Sequence, residues 1–319
     1  MRSSSDARIL PSIRPFRFAV TTSRAASGEE WRAKARRVEE LGYDTLLITD
    51  HITSQLAPIP AMTAALDATT RLRAGSYVFS NDYRNPVMLA KEIATLDVLS
   101  GGRVDFGIGA GWSVRDYEML GIAYDPPATR VPRMMEAVRL IDRLLTEDTV
   151  DATGKYYAVK GAKVLPRPIQ RPRPPLMIGA GGPKMLRFAA QRADIVVLNP
   201  QFDPNGRPML AELTAAAAQR KIDEFRAAAA QRLDRIELSI YVADAGVTDD
   251  PRSLFDGLAT RLKGAVTQVV DSPFFLYGST SDLVRQLLER RERYGMSYIG
   301  VPEQAMEPFA AVVRELRGT

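Results

Sequence analysis

Asp50-His51 sets a side chain able to move a proton beside a carboxylate, and His51 is the single histidine of the chain. The unperturbed pKa of histidine lies near neutrality, so it can give or take a proton without further tuning. The pair follows the apolar run Tyr43 to Thr49, which reads as a fully buried strand ending at Asp50. In α/β proteins ligands bind at the carboxyl ends of parallel strands, which would put His51 beside a bound molecule. A satisfied core histidine is the alternative reading.

Two glycine-rich strand ends offer a different chemistry. Leu176-Met177-Ile178-Gly179-Ala180-Gly181-Gly182-Pro183-Lys184 reads as a strand, a tight turn and a helix start with proline in its first turn. Gly179, Ala180, Gly181 and Gly182 would let backbone N–H groups approach an anion, and the helix N-terminus adds partial positive charge. The same residues also fit an ordinary connection, and they form neither a Walker A loop nor the GxGxxG fingerprint. Gly107-Ile108-Gly109-Ala110-Gly111-Trp112 closes another strand. Its small residues would let a flat ring lie against the backbone, with Trp112 as one wall of a substrate pocket; a tryptophan capping a barrel end is the alternative. Ser76-Tyr77-Val78-Phe79-Ser80-Asn81-Asp82-Tyr83 is a strand that turns polar, placing backbone groups beside a ligand or simply making an Asn-Asp turn.

These residues need elements to hold them. Strands are expected at Phe16 to Thr21, Tyr43 to Thr49, Leu72 to Phe79, Val104 to Gly109, Leu176 to Gly179, Ile195 to Leu198, Ile236 to Val242 and Tyr298 to Val301. Helical spacing falls between them. Ser27-Gly28-Glu29-Glu30 reads as a capping box before Trp31, Ala35, Val38 and Leu41. Pro86 opens a helix with Leu89, Ile93, Leu96 and Leu99 on one face. Further helices are expected at about Thr129 to Leu145, Pro183 to Gln191, Met209 to Ala230, Thr280 to Tyr294 and Glu303 to Leu316. The Pro-, Lys- and Arg-rich stretch Tyr156 to Pro175 reads as an inserted hairpin and loop, part of an insertion near 146–175 within one domain spanning 1–319, because no second core lies beside it. Eight strands alternating with helices predict an α/β fold, a (β/α)8 TIM barrel with inserted loops; an open doubly wound sheet is the alternative.

Composition removes other classes. The chain has no cysteine, which excludes disulfides, thiol chemistry and thiolate-held metal, and one histidine excludes a histidine-rich metal site; no metal is expected. The 43 basic and 38 acidic residues of the 319 give a net charge of +5 spread along helices, which reads as a mixed surface rather than a nucleic-acid face. It also suits weak attraction of an anionic small ligand. Met1 to Ile13 lacks the apolar core of a signal peptide and no run approaches a membrane span, so a cytoplasmic protein with no membrane partner is expected.

The segments "ITDHI", "SYVFSNDYRNP", "LAKEIATLDVLSGGRVDFGIGAGW" and "MIGAGGPKMLRFAAQRADIVV" together resemble the bacterial luciferase-like superfamily of flavin- and deazaflavin-dependent enzymes. The likeness runs from Phe16 to Leu198 and weakens afterwards. Asp-His ending the second strand resembles the branch that uses coenzyme F420, a deazaflavin that carries hydride. The resemblance implies a barrel with the cofactor at the carboxyl end of its strands. Asp50 and His51 would lie near the ring, with His51 giving or taking the proton. Ser76, Tyr77, Val78 and Phe79 resemble the family's bulge with a non-proline cis peptide under the ring. Asn81 and Gly109 join the expected cofactor contacts, and Gly179 to Gly182 would hold the phosphate. Lys184, Arg187 and Arg115 would meet the anionic tail.

One departure is clear. Sugar-phosphate dehydrogenases of this superfamily carry a catalytic glutamate where this chain has Trp112, which argues against a glucose-6-phosphate-type substrate. The nearest glutamate is Glu118, about a turn and a half into a possible helix. The expected function is therefore hydride transfer between coenzyme F420 and an unidentified small organic substrate, in a homodimer. A reduced-FMN monooxygenase and a non-catalytic flavin- or deazaflavin-binding protein are the alternatives. Asp151 to Pro175 and Ser272 to Gly278 are expected to border the substrate pocket.

Overall fold

The computed structural model describes residues 14–203, 207–250, 252, 254, 256–258, 269 and 271–319. The expectation made for Met1 to Ile13 lies outside these residues. Eight strands form the barrel: β1 (Arg17–Thr21), β2 (Thr45–Ile48), β3 (Arg73–Ser76), β4 (Val104–Gly109), β5 (Leu176–Ala180), β6 (Ile195–Leu198), β7 (Glu237–Ile240) and β8 (Met296–Pro302). Each pairs in parallel with the next, and β8 pairs with β1, so the sheet closes. Every strand anticipated from the sequence is present. An open sheet is excluded by the β8–β1 pairing.

Closure follows from strands that are apolar on both faces. Outward side chains such as Phe18, Val20, Leu46, Ile48, Val196 and Leu198 pack on the helices, which bury their own apolar stripes there. Inward ones alternate with them, and Ala19, Leu47, Met177, Ile195, Val197 and Tyr298 fill the barrel centre. At the amino end of the strands the inward positions are charged. Asp105 accepts from Arg17 at 3.0 Å and from Arg73 at 2.6 Å, and Arg17 also donates to Glu237 at 2.7 Å. The ion network plugs one end and leaves the other for a ligand.

Two local details differ from expectation. The third strand does not run on to Phe79: it breaks after Ser76, at a cis peptide between Tyr77 and Val78, and resumes at Phe79–Ser80. Gly107 permits that path, because a Cβ there would fall 2.0 Å from the Ser76 carbonyl oxygen. At the first helix (Gly28–Glu40) Ser27 accepts from Glu30 N, but the Glu30 carboxylate accepts from Ala26 N, so half of the box forms. The full reciprocal box lies instead at Ser279 and Asp282, before the helix Thr280–Tyr294.

The inserted hairpin is present as the antiparallel strands Val150–Thr153 and Ala158–Ala162. The possible helix around Glu118 is present as Val114–Leu120; Ser113 caps it by accepting from Asp116 N. No helix is long and apolar enough to cross a membrane among the described residues.

Candidate functional site

A cavity of about 360 Å³ opens at the carboxyl ends of the strands. Its lining follows from the period of two. Positions two residues beyond the inward core side chains Ala19, Leu47 and Val197 are Thr21, Thr49 and Asn199, and the next step after Thr49 is His51; all four line the cavity. Tyr77, Val78, Tyr241, Gly300 and Pro302 complete the floor and sides, and Trp112 and Phe202 form the outer wall.

His51 is held from behind. Its Nδ1 lies 2.6 Å from Oδ2 of Asp116, a residue only 1% exposed. A carboxylate accepts, so this bond assigns the proton to Nδ1 and leaves Nε2 available to the cavity. Asp116 is itself fixed by the Ile52 backbone N–H and the Tyr83 hydroxyl, both at 3.4 Å. On its other side His51 meets Trp112 edge to face, with ring centroids 5.0 Å apart. Trp112 stacks on Phe202 at 5.0 Å and 15°, and Tyr241 stands edge-on to Phe202 at 6.0 Å. Burial pushes the phenols of Tyr77 and Tyr241 above their ordinary value, so both remain neutral O–H groups.

The loop that carries Trp112 is anchored by Arg130. Its guanidinium donates to the Ala110 carbonyl at 2.9 Å, to the Gly111 carbonyl, and to the Asp125 carbonyl at 2.7 Å, while lying over the Tyr124 ring at 4.2 Å.

Of the residues expected at the site, His51, Tyr77, Val78 and Trp112 meet in this cavity. Nine do not: the glycine turn 179–182 lies beside it, with Ala180 buried in the core between barrel and helices, and five others point elsewhere. Asp50 turns outward because it alternates with Thr49 and His51; it accepts from both Arg84 terminal nitrogens, at 2.5 and 3.0 Å, and from Ser80 N at 2.9 Å. It therefore ties the end of β2 to the chain after the cis peptide. Ser76 is fully buried, its hydroxyl donating to Gly107 O and accepting from Gly107 N. Phe79 belongs to the core between barrel and helices. Asn81 faces a separate groove, where its amide donates to Asp82 at 3.0 Å and Tyr157 at 3.1 Å. Gly109 is covered by Val78, whose Cγ2 would stand 2.8 Å from a Cβ placed there. The space beside Gly107 and Gly109, expected to take a flat ring, is filled by that valine.

The glycine turn lies at the end of β5, next to Asn199. A Cβ on Gly179 would fall 2.8 Å from the Asn199 amide nitrogen, whereas one on Gly182 meets nothing within 4 Å. Gly182 is the N-cap of the helix Pro183–Arg192. The open cradle over a helix start, whose first N–H groups have no partner within the helix, suits a phosphate. Beneath it the buried Lys221 ammonium donates to the Gly181 carbonyl and pairs with Glu212 at 2.6 Å.

Neither expected pocket border reaches this cavity. The insertion packs along the helix Pro86–Leu99 and the β3–β4 edge, with Gln170 bonded to Asp97 at 2.9 Å through its backbone N–H. Phe275, Tyr277 and Gly278 line another cavity, of about 570 Å³, that includes Arg290 and not His51. The lining comes instead from the chain after β6 (Asn199, Phe202, Pro208) and after β7 (Tyr241, Val242, Ala243). Asp116, Phe202 and Tyr241 were missed by sequence reasoning. The strand period would have found Tyr241, two residues beyond Ser239, and Ser113-x-x-Asp116 is a readable helix cap. Phe202 sits in a loop and has no such signal.

Comparison with known proteins places this geometry. The family described as luciferase-like monooxygenase matches residues 12–240. An F420-dependent glucose-6-phosphate dehydrogenase of Amycolatopsis mediterranei is 33% identical over 168 residues, half of this chain and half of that one. A 5,10-methylenetetrahydromethanopterin reductase of Archaeoglobus fulgidus is 36% identical over 162 residues, covering 50% of this chain and 46% of that one. The chain thus spans about half the length of the curated relatives it matches. The coenzyme F420-dependent tetrahydromethanopterin reductase of Methanopyrus kandleri has a similar fold, with a TM-score of 0.75, 20% identity, and coverage of 95% of this chain and all of that one.

Proposed function

The chain belongs to the luciferase-like monooxygenase family, and from that premise we propose that it is an F420-dependent oxidoreductase acting on a small organic substrate. The observation that carries this reading is His51, seated in the mouth of the barrel with Asp116 on Nδ1 and Nε2 left to the cavity. The deazaflavin, when bound, supplies the two-electron hydride chemistry. Everything else is asked of the protein. Tyr77 and Val78 support the ring from the cavity floor, and the open Gly182 cradle with the start of its helix takes the phosphate. The exposed side chains of Lys184, Arg187 and Arg115 meet the anionic tail. His51 provides or removes the proton that accompanies hydride at the substrate, and Asp116 keeps its imidazole in the tautomer that can do so.

Names of relatives support the cofactor: those aligned above are an F420-dependent dehydrogenase and a reductase of a methanopterin coenzyme. The exposed apolar side chains of Met88, Leu99, Leu165 and Ile169, gathered along the helix Pro86–Leu99 and the segment against it, support a homodimer. The test is a screen of reduced F420 oxidation by neutral and charged organic compounds, followed by absorbance, with wild type and His51→Ala side by side. The reading expects retained F420 binding and strongly reduced turnover in the variant. Equal turnover in both proteins would remove His51 from the chemistry.

A further inference from the structure

Among the described residues that line the cavity, none is a lysine, arginine, aspartate or glutamate; His51 is the sole titratable group besides the two tyrosines. The polar members are neutral: Thr21, Thr49, Gln55 and Asn199. The cationic side chains Arg115, Lys184 and Arg187 lie exposed outside this lining, and others are engaged. Arg84 is taken by Asp50, Arg130 by the loop carbonyls, and Lys34 pairs with Glu303 at 2.6 Å. An anionic substrate pushed into this space would lose hydration and find no counter-charge among the described lining residues, which is costly for any ionised group.

The outer wall is aromatic and flat. Trp112 and Phe202 lie within 15° of parallel, Tyr241 closes the corner, and the edge of His51 faces Trp112. Rings of this kind favour an aromatic or conjugated partner, by stacking and by edge-to-face contact. Arg130 holds Trp112 in place from outside, so the wall is built rather than incidental.

We propose that the substrate is an uncharged, planar ring compound bearing a carbonyl or hydroxyl that His51 can reach, and not a phosphorylated sugar. This rests on the oxidoreductase reading above and adds the substrate class to it. The aromatic wall takes the ring face, the neutral hydrogen-bonding groups take its oxygen, and a lining without cations among the described residues disfavours anions.

The test is calorimetric titration of the purified protein, with and without saturating F420, using acetophenone, benzoate and glucose 6-phosphate. Acetophenone and benzoate share a flat ring and nearly the same outline and differ in charge. F420 affinity is measured first, so failure of cofactor binding tells against the oxidoreductase reading, while the acetophenone–benzoate comparison on the free protein still reports on the substrate class. Acetophenone is expected to bind at least about tenfold more tightly than either anion, because only the anions must bury an unpaired charge. Phe202→Ala is expected to weaken acetophenone while F420 affinity stays as it was. Benzoate or glucose 6-phosphate binding as well as acetophenone, or acetophenone failing to bind at millimolar concentration, overturns the proposal.

Discussion

Oδ2 of Asp116 lies 2.6 Å from Nδ1 of His51, although 65 residues separate the two in sequence. The bond joins the end of β2 to the first turn of the helix Val114–Leu120, and it decides which imidazole nitrogen meets the cavity. Because the chain has one histidine, nitrogen NMR of the imidazole reads that choice without assignment. The Nδ1-protonated tautomer is expected in the wild type and a mixture in Asp116→Ala. The Nε2-protonated form in the wild type would contradict the geometry.

Turnover should respond in step. His51→Ala is expected to lose roughly 10²–10⁴-fold, the range of a proton-transfer residue. Asp116→Asn should lose roughly 10- to 100-fold, the scale seen when a partner that orients a functional imidazole is changed. His51→Ala should melt within a few degrees of wild type, since His51 lies at the cavity edge rather than in the core. A large fall in melting temperature for His51→Ala would make it a structural histidine.

Much of this was legible in the sequence, for a physical reason. Parallel barrel strands are apolar on both faces, so all eight showed as short hydrophobic runs, and the helices between them kept their own period. The site was read less completely. Asp50 and His51 are adjacent, yet a strand sends them to opposite faces, and the inward alternation Leu47, Thr49, His51 already selects the histidine. The glycines at 107 and 109 signalled close approach correctly but not by what: the neighbour is Val78, delivered by a cis peptide whose partners lie on another strand. Phe202 and Asp116 reach the cavity through tertiary packing, which local pattern does not encode.

The two glycines of the anion turn should behave differently. Gly181→Val would press its side chain on the backbone of Pro200 and Asn199, whose oxygens stand 3.2 and 3.3 Å from a Cβ, so a loss of affinity there mixes folding with binding. Gly182→Ala meets no protein atom within 4 Å and should leave the melting temperature unchanged. It is nevertheless expected to weaken F420 binding by roughly tenfold or more, about 1.4 kcal/mol, by filling the phosphate cradle. Unchanged affinity in Gly182→Ala would move the phosphate elsewhere.

Arg130→Lys removes the fork that holds the Ala110 and Gly111 carbonyls. Trp112 should then move. The other tryptophan, Trp31, is buried and donates to the Ala61 carbonyl at 2.8 Å, so a red-shifted emission in the variant reports on Trp112 alone. An unshifted spectrum would mean that the wall stands without the arginine.

The charged end of the barrel sets an acid limit. Burial works to raise the Asp105 pKa, but Arg73 and Arg17 more than offset it and hold the carboxyl below its usual range. A depressed carboxylate contributes stability that is present above its unfolded value of about 3.9 and is lost as pH falls through the lower folded value. Glu237 has the opposite sign: burial keeps its pKa raised in spite of Arg17, so its contribution is greatest at low pH and falls as pH rises through the folded value. Asp105→Ala should cost about 1–3 kcal/mol at neutral pH, since the half-buried guanidinium groups of Arg17 and Arg73 lose a fully buried partner. Its stability should also fall less steeply in acid, which denaturant melts across pH would show; a slope equal to wild type would remove Asp105 from the acid limit.

Side-by-side titration of the purified protein with F420 and FMN over a range of salt tests the central claim most directly. In the proposed reading the glycine cradle and the cavity floor would hold either cofactor, but only F420 carries a glutamyl tail for the exposed Lys184, Arg187 and Arg115. Surface contacts of this kind are weak singly and screened by ions. F420 is expected to bind more tightly than FMN, with its advantage shrinking as ionic strength rises. Tighter binding of FMN at every salt concentration would contradict the account and favour a flavin monooxygenase.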